Sequence, residues 1–124
     1  PPERIAKTLS FAVDGGCVLV VCAGDAKVDN AKFKAQFHTK AKMLSLDEVV
    51  AFTGHAVGGV CPFAIDNPAV TTYLDESLRR FETVYPAAGS ANSAIELTLD
   101  ELAEFSGCAG WVDVCKNWNG KEPL

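Results

Sequence analysis

Two short segments of the sequence carry residue types suited to chemistry on an acyl group. The first covers residues 54–63, GHAVGGVCPF, and contains the adjacent glycines Gly58 and Gly59. Paired glycines let a backbone approach a ligand closely, and they turn N–H groups toward a single oxygen. Such donors stabilise a carbonyl oxygen that becomes an oxyanion during acyl transfer or hydrolysis. A β-bulge or a sharp turn between strands would explain the same two glycines without any chemistry.

The second segment contains Lys7, within the run RIAKTLSF at residues 4–11. Ile5, Leu9 and Phe11 alternate with the period of two typical of a β-strand, so Lys7 falls on their face. A lysine directed toward an apolar layer is costly unless its ammonium finds an anionic or carbonyl partner in a pocket. The alternative is a strand that begins one or two residues later, with Lys7 exposed at its edge.

The sequence lacks the motifs of most cofactor- and metal-dependent enzymes. It has no phosphate-binding loop, no dinucleotide-binding glycine pattern, no zinc-protease motif and no serine nucleophile elbow. Its two histidines are His38 and His55, and its five cysteines are odd in number and never spaced Cys-x-x-Cys. We therefore expect no metal, no cofactor and no disulfide framework. A Cys61–His55 nucleophile–base pair has no recognised spacing, and the other cysteines fit small buried hydrophobes.

Charge is unevenly distributed along the chain. The net charge of −5 argues against non-specific binding to duplex DNA, which depends on phosphate neutralisation. Residues 27–42 nevertheless hold one acid, Asp29, and five lysines: Lys27, Lys32, Lys34, Lys40 and Lys42. A local basic patch on an acidic body can contact a short stretch of nucleic-acid backbone. A solvated helix face explains the same lysines without a ligand.

The elements that must position these residues indicate one α+β domain over residues 1–124. Apolar alternation and turn signals predict strands at 5–13, 17–23, 42–44, 69–74, 82–86, 94–98 and 111–114. Helices are predicted at 31–37 after an Asn30 cap, after a Ser45 capping box with Gly54 as the stop, and at 101–105 before Gly107. The sheet is expected to be mixed and mostly antiparallel, with short helices packed on it. We expect Asp75 to support a strand–helix junction rather than to act as a base.

Short motifs that fall in order along the chain resemble the YbaK/ProX superfamily, also called the YbaK/aminoacyl-tRNA-synthetase-associated domain. They are IAKTL at 5–9, VD at 28–29, TGHAVGGVCPF at 53–63, LDESL at 74–78, AG at 88–89, IEL at 95–97 and EL at 101–102. Each fragment alone is weak, but the ordered set is specific and covers nearly the whole chain. The resemblance implies a mixed α+β fold around a curved sheet.

The resemblance also implies hydrolysis of a wrongly attached amino acid from tRNA, often tRNA with the proline anticodon. Such a site removes errors that a synthetase pocket cannot reject by binding alone. Lys7 matches the family's most important lysine, and Gly58 and Gly59 match the loop whose N–H groups face the acyl carbonyl. The predicted substrate pocket comprises His55, Val57, Val60, Cys61, Pro62 and Ala94, and the alternative for His55 is that it caps the loop. The lysines of residues 27–42 would follow the acceptor stem, with a synthetase as a further partner.

Two departures from the family pattern affect the details. The branch acting on cysteinyl-tRNA has an aspartate before the IEL motif, where this chain has Ala94, which weakens an assignment of cysteine specificity. Members also usually carry a further helix and strand before the lysine motif. No apolar leader or membrane-length run is visible, so we expect a cytoplasmic protein that binds neither membrane nor DNA.

Three other functions remain open from the sequence. The chain could be a non-catalytic module of the same fold that binds tRNA or a synthetase. It could be a small-molecule hydrolase or acyl-binding protein that reuses the pocket, because fold alone does not fix function. It could also be an interaction domain assembled through a sheet edge.

Overall fold

The computed structural model describes residues 5–13, 15–53, 68–86 and 96–116. The strands are β1 (Ile5–Val13), β2 (Gly16–Ala23), β3 (Lys27–Val28), β4 (Val70–Asp75), β5 (Thr83–Pro86), β6 (Leu97–Thr98), β7 (Trp111–Val112) and β8 (Cys115–Lys116). The helices are α1 (Asn30–Phe37), α2 (Leu46–Thr53), α3 (Leu99–Ser106) and a 3₁₀ helix at Glu76–Arg80. Within these ranges, no helix is long and apolar enough to cross a membrane.

One six-stranded mixed sheet forms the centre of the fold, in the order β6-β5-β1-β2-β4-β7. The β1/β2 and β5/β6 pairs are antiparallel, whereas β1/β5, β2/β4 and β4/β7 are parallel. A separate antiparallel pair joins β3 to β8. The prediction of a mixed sheet with a few short helices is confirmed, but three of the five strand pairs in this sheet are parallel, so it is not mostly antiparallel as predicted.

The central strand β2 is buried over its whole apolar run, Cys17 to Ala23. Such a run is typical of a strand covered on both faces. On one face, the Phe33 ring of α1 lies 4.8 Å from the Phe11 ring, centroid to centroid. On the other face, Leu19 packs in a smaller cluster that includes Phe52 of α2. The sheet is therefore a middle layer between α1 and α2.

The helix boundaries follow from side-chain caps. Ser45 and Glu48 form the predicted capping box, because each side chain accepts from the other residue's N–H. Thr98 and Glu101 form a second box, and Gly107 ends α3 in the left-handed region, with φ 62°. These boxes satisfy backbone N–H groups that a helix cannot bond internally.

The predicted cap of α1 is wrong by one residue. Asp29, not Asn30, is the N-cap, and its carboxylate accepts from the Lys32 N–H at 3.0 Å. That hydrogen bond lowers the pKa of Asp29 below its usual value. Both residue types favour this position, so composition alone could not choose between them.

Three predicted strands differ from the structure within the described residues. Residues 42–44 form only an isolated bridge, Phe11 to Met43, instead of a strand. Of the run 111–114, only Trp111–Val112 (β7) is a strand, and Val114 donates its N–H to the Asp75 carboxylate before β8 begins at Cys115. Of the described part of the run 94–98, Leu97–Thr98 is a strand and Glu96 is not; residues 94 and 95 lie outside the described residues.

The hairpin connection requires glycine at two positions for different reasons. Gly15 has φ 81°, a conformation that side chains other than Asn and Asp rarely adopt. At Gly16 a Cβ would collide with the Ala69 carbonyl oxygen, which accepts from the Cys17 N–H at 2.9 Å.

We expect Gly16→Ala to lower the free energy of unfolding by about 2 kcal/mol, because the β2/β4 backbones must separate to admit the methyl group. Chemical denaturation of the variant beside Gly15→Asn, which suits a positive φ, measures this difference. Equal stability of the two variants would contradict the close approach at Gly16.

Candidate active site

Lys7 lies on β1 directly opposite Cys22 of β2, on the same face as Leu9 and Phe11. Its side chain is half-buried, and its Nζ donates to the carbonyl oxygens of Ala26 at 2.6 Å and Gly24 at 3.3 Å. The period of two thus identified the correct face of the strand. A cation on an apolar face is tolerated here because two backbone dipoles solvate it.

The carbonyl partners of Lys7 belong to the turn that follows β2, at residues 24–26. The Ala26 N–H closes this turn onto the Ala23 carbonyl at 3.0 Å. The turn is tied to the 3₁₀ helix twice. Ser77 Oγ accepts from the Ala23 N–H at 3.1 Å, and Arg80 pairs with Asp25. Sequence reasoning identified none of these supports, because their partners are more than fifty residues apart.

Asp75 is a fully buried junction residue, as predicted. Its two carboxyl oxygens accept the N–H groups of Ser77 and Val114, each at 2.9 Å. One oxygen caps the 3₁₀ helix, and the other fixes the segment between β7 and β8. Asp75 therefore has a structural role.

Thr8 was not singled out by the sequence. Its Oγ1 is buried, and it has no hydrogen-bond partner among the residues that the structure describes. Being next to Lys7 on a strand, it points to the opposite face of β1. A buried hydroxyl without a partner costs about 1–3 kcal/mol, which makes this position unusual in an otherwise satisfied strand.

The five lysines of residues 27–42 do not form one surface. Lys32 donates to the Asp113 carboxylate at 3.1 Å and to the Cys115 carbonyl at 3.0 Å, and Lys27 lies on β3 opposite Lys116. The other three line two cavities of about 470 and 400 Å³ that share Lys40. We call this pair of cavities the basic groove; its charged and ionisable lining residues are Lys34, Lys40, Lys42 and His38.

The remaining predicted site residues fall outside the part of the chain that the structure describes. They are His55, Val57, Gly58, Gly59, Val60, Cys61, Pro62 and Ala94. Their predicted roles stay predictions.

Two of the described cysteines, Cys17 and Cys115, are poor nucleophiles. Burial raises the pKa of Cys17 to about 11. The hydrogen bond with the Cys22 thiol, together with burial, raises the pKa of Cys115. Cys17, Cys22 and Cys115 are buried and Cys108 is half-buried, close to the prediction of small hydrophobes. Within the described ranges, no three His, Cys, Asp or Glu residues come together as metal ligands.

The comparisons with known proteins agree with the fold. The model of the aminoacyl-tRNA editing domain matches residues 1–105. The chain therefore belongs to the aminoacyl-tRNA editing domain family, and the resemblance drawn from the ordered motifs is confirmed.

Three known proteins are similar to the chain in sequence or in structure. It is 58% identical over 118 residues to the uncharacterized protein YwhH of Bacillus subtilis (strain 168), covering 94% of this chain and 74% of YwhH. It is 33% identical over 105 residues to EbsC of Enterococcus faecalis (strain ATCC 700802 / V583), named as a candidate Cys-tRNA(Pro)/Cys-tRNA(Cys) deacylase, covering 83% and 63%. The crystal structure of a candidate trans-editing enzyme for prolyl tRNA synthetase superposes with a TM-score of 0.84 at 27% identity, covering 94% and 73%.

Proposed function

We propose that the chain is a trans-editing aminoacyl-tRNA deacylase, which hydrolyses the ester of a mischarged tRNA, with tRNA(Pro) carrying a small amino acid as the first substrate to examine. Family membership and the names of EbsC and of the superposed structure support this proposal. The observation that carries it is the Lys7 ammonium, held on the apolar face of β1 by two carbonyl groups. The proposed place of action is the cytoplasm.

Lys7 binds and orients the substrate in this proposal. An ammonium has three N–H donors, and two of them contact carbonyls of the described chain. The third donor is directed to a phosphate or ribose oxygen of the terminal adenosine. Fixing the ester in this way lowers the barrier because the reacting groups no longer have to find each other.

The chemical step is the addition of water to the acyl carbonyl. The C–O bond to the ribose then breaks, its oxygen takes a proton, and the amino acid leaves with a carboxylate. Backbone N–H groups of Gly58 and Gly59, outside the described residues, are proposed to stabilise the oxyanion. His55, Val57, Val60, Cys61, Pro62 and Ala94 are the proposed pocket around the amino acid.

The basic groove is the proposed contact for the acceptor-stem backbone. Lys34, Lys40 and Lys42 line it, and His38 lies beside them. Lys27 and Lys32 are less suited to this role. Lys32 is engaged with Asp113, and Lys27 belongs to the separate β3/β8 pair.

We expect Lys34→Ala and Lys40→Ala each to raise the KM for aminoacyl-tRNA several-fold while leaving kcat almost unchanged, because they contact backbone remote from the ester. Each should also reduce the slope of log affinity against log salt by about one unit per lost phosphate contact. Lys116→Ala, an exposed lysine outside the groove, is the matched control. An unchanged salt slope in both groove variants would argue against this surface.

A panel of mischarged tRNAs tests the function itself. Purified protein is incubated with each aminoacyl-tRNA, and the release of free amino acid is followed. Hydrolysis of at least one member supports the proposal. Binding without release from any member would indicate a tRNA- or synthetase-binding module. Turnover of a simple amino-acid ester at the same rate as aminoacyl-tRNA would indicate a small-molecule hydrolase.

A further inference from the structure

The turn that holds Lys7 is clamped by an ion pair whose partners are 55 positions apart in the chain. Arg80 Nη1 donates to Asp25 Oδ2 at 3.0 Å, and Nη2 donates to Oδ1 at 2.5 Å. Both side chains are largely buried, with 15% and 12% of their surfaces exposed. A fork of two parallel hydrogen bonds fixes orientation as well as distance, and among cationic side chains only arginine provides it.

The guanidinium is itself oriented by its own helix. Arg80 Nε donates to the Ser77 carbonyl at 3.0 Å, so the fork cannot rotate freely. Ser77 also accepts the N–H of Ala23, at the start of the turn. The 3₁₀ helix therefore holds the chain at Ala23, just before the turn, and at Asp25, between the two residues whose carbonyls contact Lys7.

We propose that Asp25 and Arg80 are positioning residues for Lys7, acting through the carbonyl groups of Gly24 and Ala26. This inference rests on the proposed function and adds residues that set the geometry of its central lysine. A lysine side chain has many rotamers of similar energy, so its Nζ is well placed only where its acceptors are fixed. If the pair is lost, the turn relaxes and the ammonium loses its defined position.

The kinetic test uses Arg80→Ala and Arg80→Lys with Arg79→Ala as the matched control. Arg79 lies on the same 3₁₀ helix, where it pairs with Glu76 and lies 3.9 Å from the Trp111 ring centroid. Among the described contacts of Arg79, none is with the turn at residues 24–26. We expect both Arg80 variants to lose about 10- to 100-fold in kcat with little change in KM, as for a small misplacement of an orienting group. Arg79→Ala should retain the parent kcat.

A double-mutant cycle separates positioning from general stabilisation. If Arg80 acts through Lys7, adding Arg80→Ala to a Lys7→Ala variant should lower the remaining rate by less than about twofold. An additional loss as large as in the parent background would overturn the inference. Arg80→Lys keeps the charge and most of the packing, so the comparison survives if Arg80→Ala folds poorly.

A labelling experiment decides the inference without any deacylase activity. An amine-reactive acylating reagent is applied well below the unfolding temperature, and each lysine is quantified by mass spectrometry. We expect Lys7 to react several-fold faster in the Arg80 variants than in the parent, while Lys32, anchored to Asp113, keeps its rate. An unchanged Lys7 rate, or a parallel rise at Lys32, would overturn the inference. If the parent protein is inactive on every tRNA, only the proposed function is contradicted, because the labelling result still tests the inference.

Discussion

Lys7→Ala is expected to reduce kcat/KM for deacylation of the preferred aminoacyl-tRNA by about two to three orders of magnitude. The methyl group that replaces the side chain provides no donor to the substrate and leaves the ester free to adopt unproductive orientations. Single-turnover hydrolysis of the substrate identified by the tRNA panel measures the loss directly. A substituted enzyme that retains the parent rate would remove Lys7 from the proposed mechanism.

Two companion variants make this result specific. Lys116→Ala removes an exposed lysine from β8 and should hydrolyse the substrate at the parent rate. Lys7→Arg keeps the charge, but its broad guanidinium does not fit the acceptors that now hold one ammonium nitrogen 2.6 and 3.3 Å from two carbonyl oxygens. We therefore expect Lys7→Arg to remain severely impaired. Recovery of full activity by arginine would mean that charge alone is required.

Asp75→Ala is expected to have the largest effect on stability, a loss of about 2–6 kcal/mol. The substitution leaves the N–H groups of Ser77 and Val114 without their acceptors in a fully buried place. Each orphaned buried donor costs about 1–3 kcal/mol. Since a domain of this size is stabilised by about 5–15 kcal/mol in total, the change removes a large share of its stability.

Urea denaturation of three proteins tests the role of Asp75. Asp113→Ala removes an exposed carboxylate that pairs with Lys32, and such surface pairs contribute about 1 kcal/mol at most. Asp75→Asn keeps one acceptor oxygen and should fall between the parent and Asp75→Ala. If Asp75→Ala were no less stable than Asp113→Ala, the hydrogen bonds of Asp75 to Ser77 and Val114 would not stabilise the fold as we describe.

Local patterns predicted much of the fold because they depend on neighbours in sequence. The β1/β2 hairpin followed from alternation and a glycine turn, and the Ser45 cap followed from residues three positions apart. The face of Lys7 followed from the strand period. Family resemblance then raised Lys7 above an ordinary edge lysine, which periodicity alone could not do.

Long-range contacts could not be predicted in the same way. Nothing in the sequence around Asp25 indicates a partner at Arg80, and nothing in the basic run indicates that Lys32 pairs with Asp113. Which lysines of a charged segment share a groove depends on how α1 and the following residues are folded back on β1. The charge pattern therefore located the basic segment but could not show which of its lysines line the basic groove.

The parallel pairing of β2 with β4 makes the turn that holds Lys7 depend on residues far along the chain. The β1/β2 hairpin is local and forms early, but its parallel neighbour joins positions such as Leu19 and Thr72, far apart in sequence, and such ladders close slowly. The turn that receives Lys7 is completed only when residues 75–80 arrive behind β4. Until the 3₁₀ helix has docked, the turn lacks its contacts with Ser77 and Arg80, and the Lys7 ammonium lacks acceptors in a fixed position.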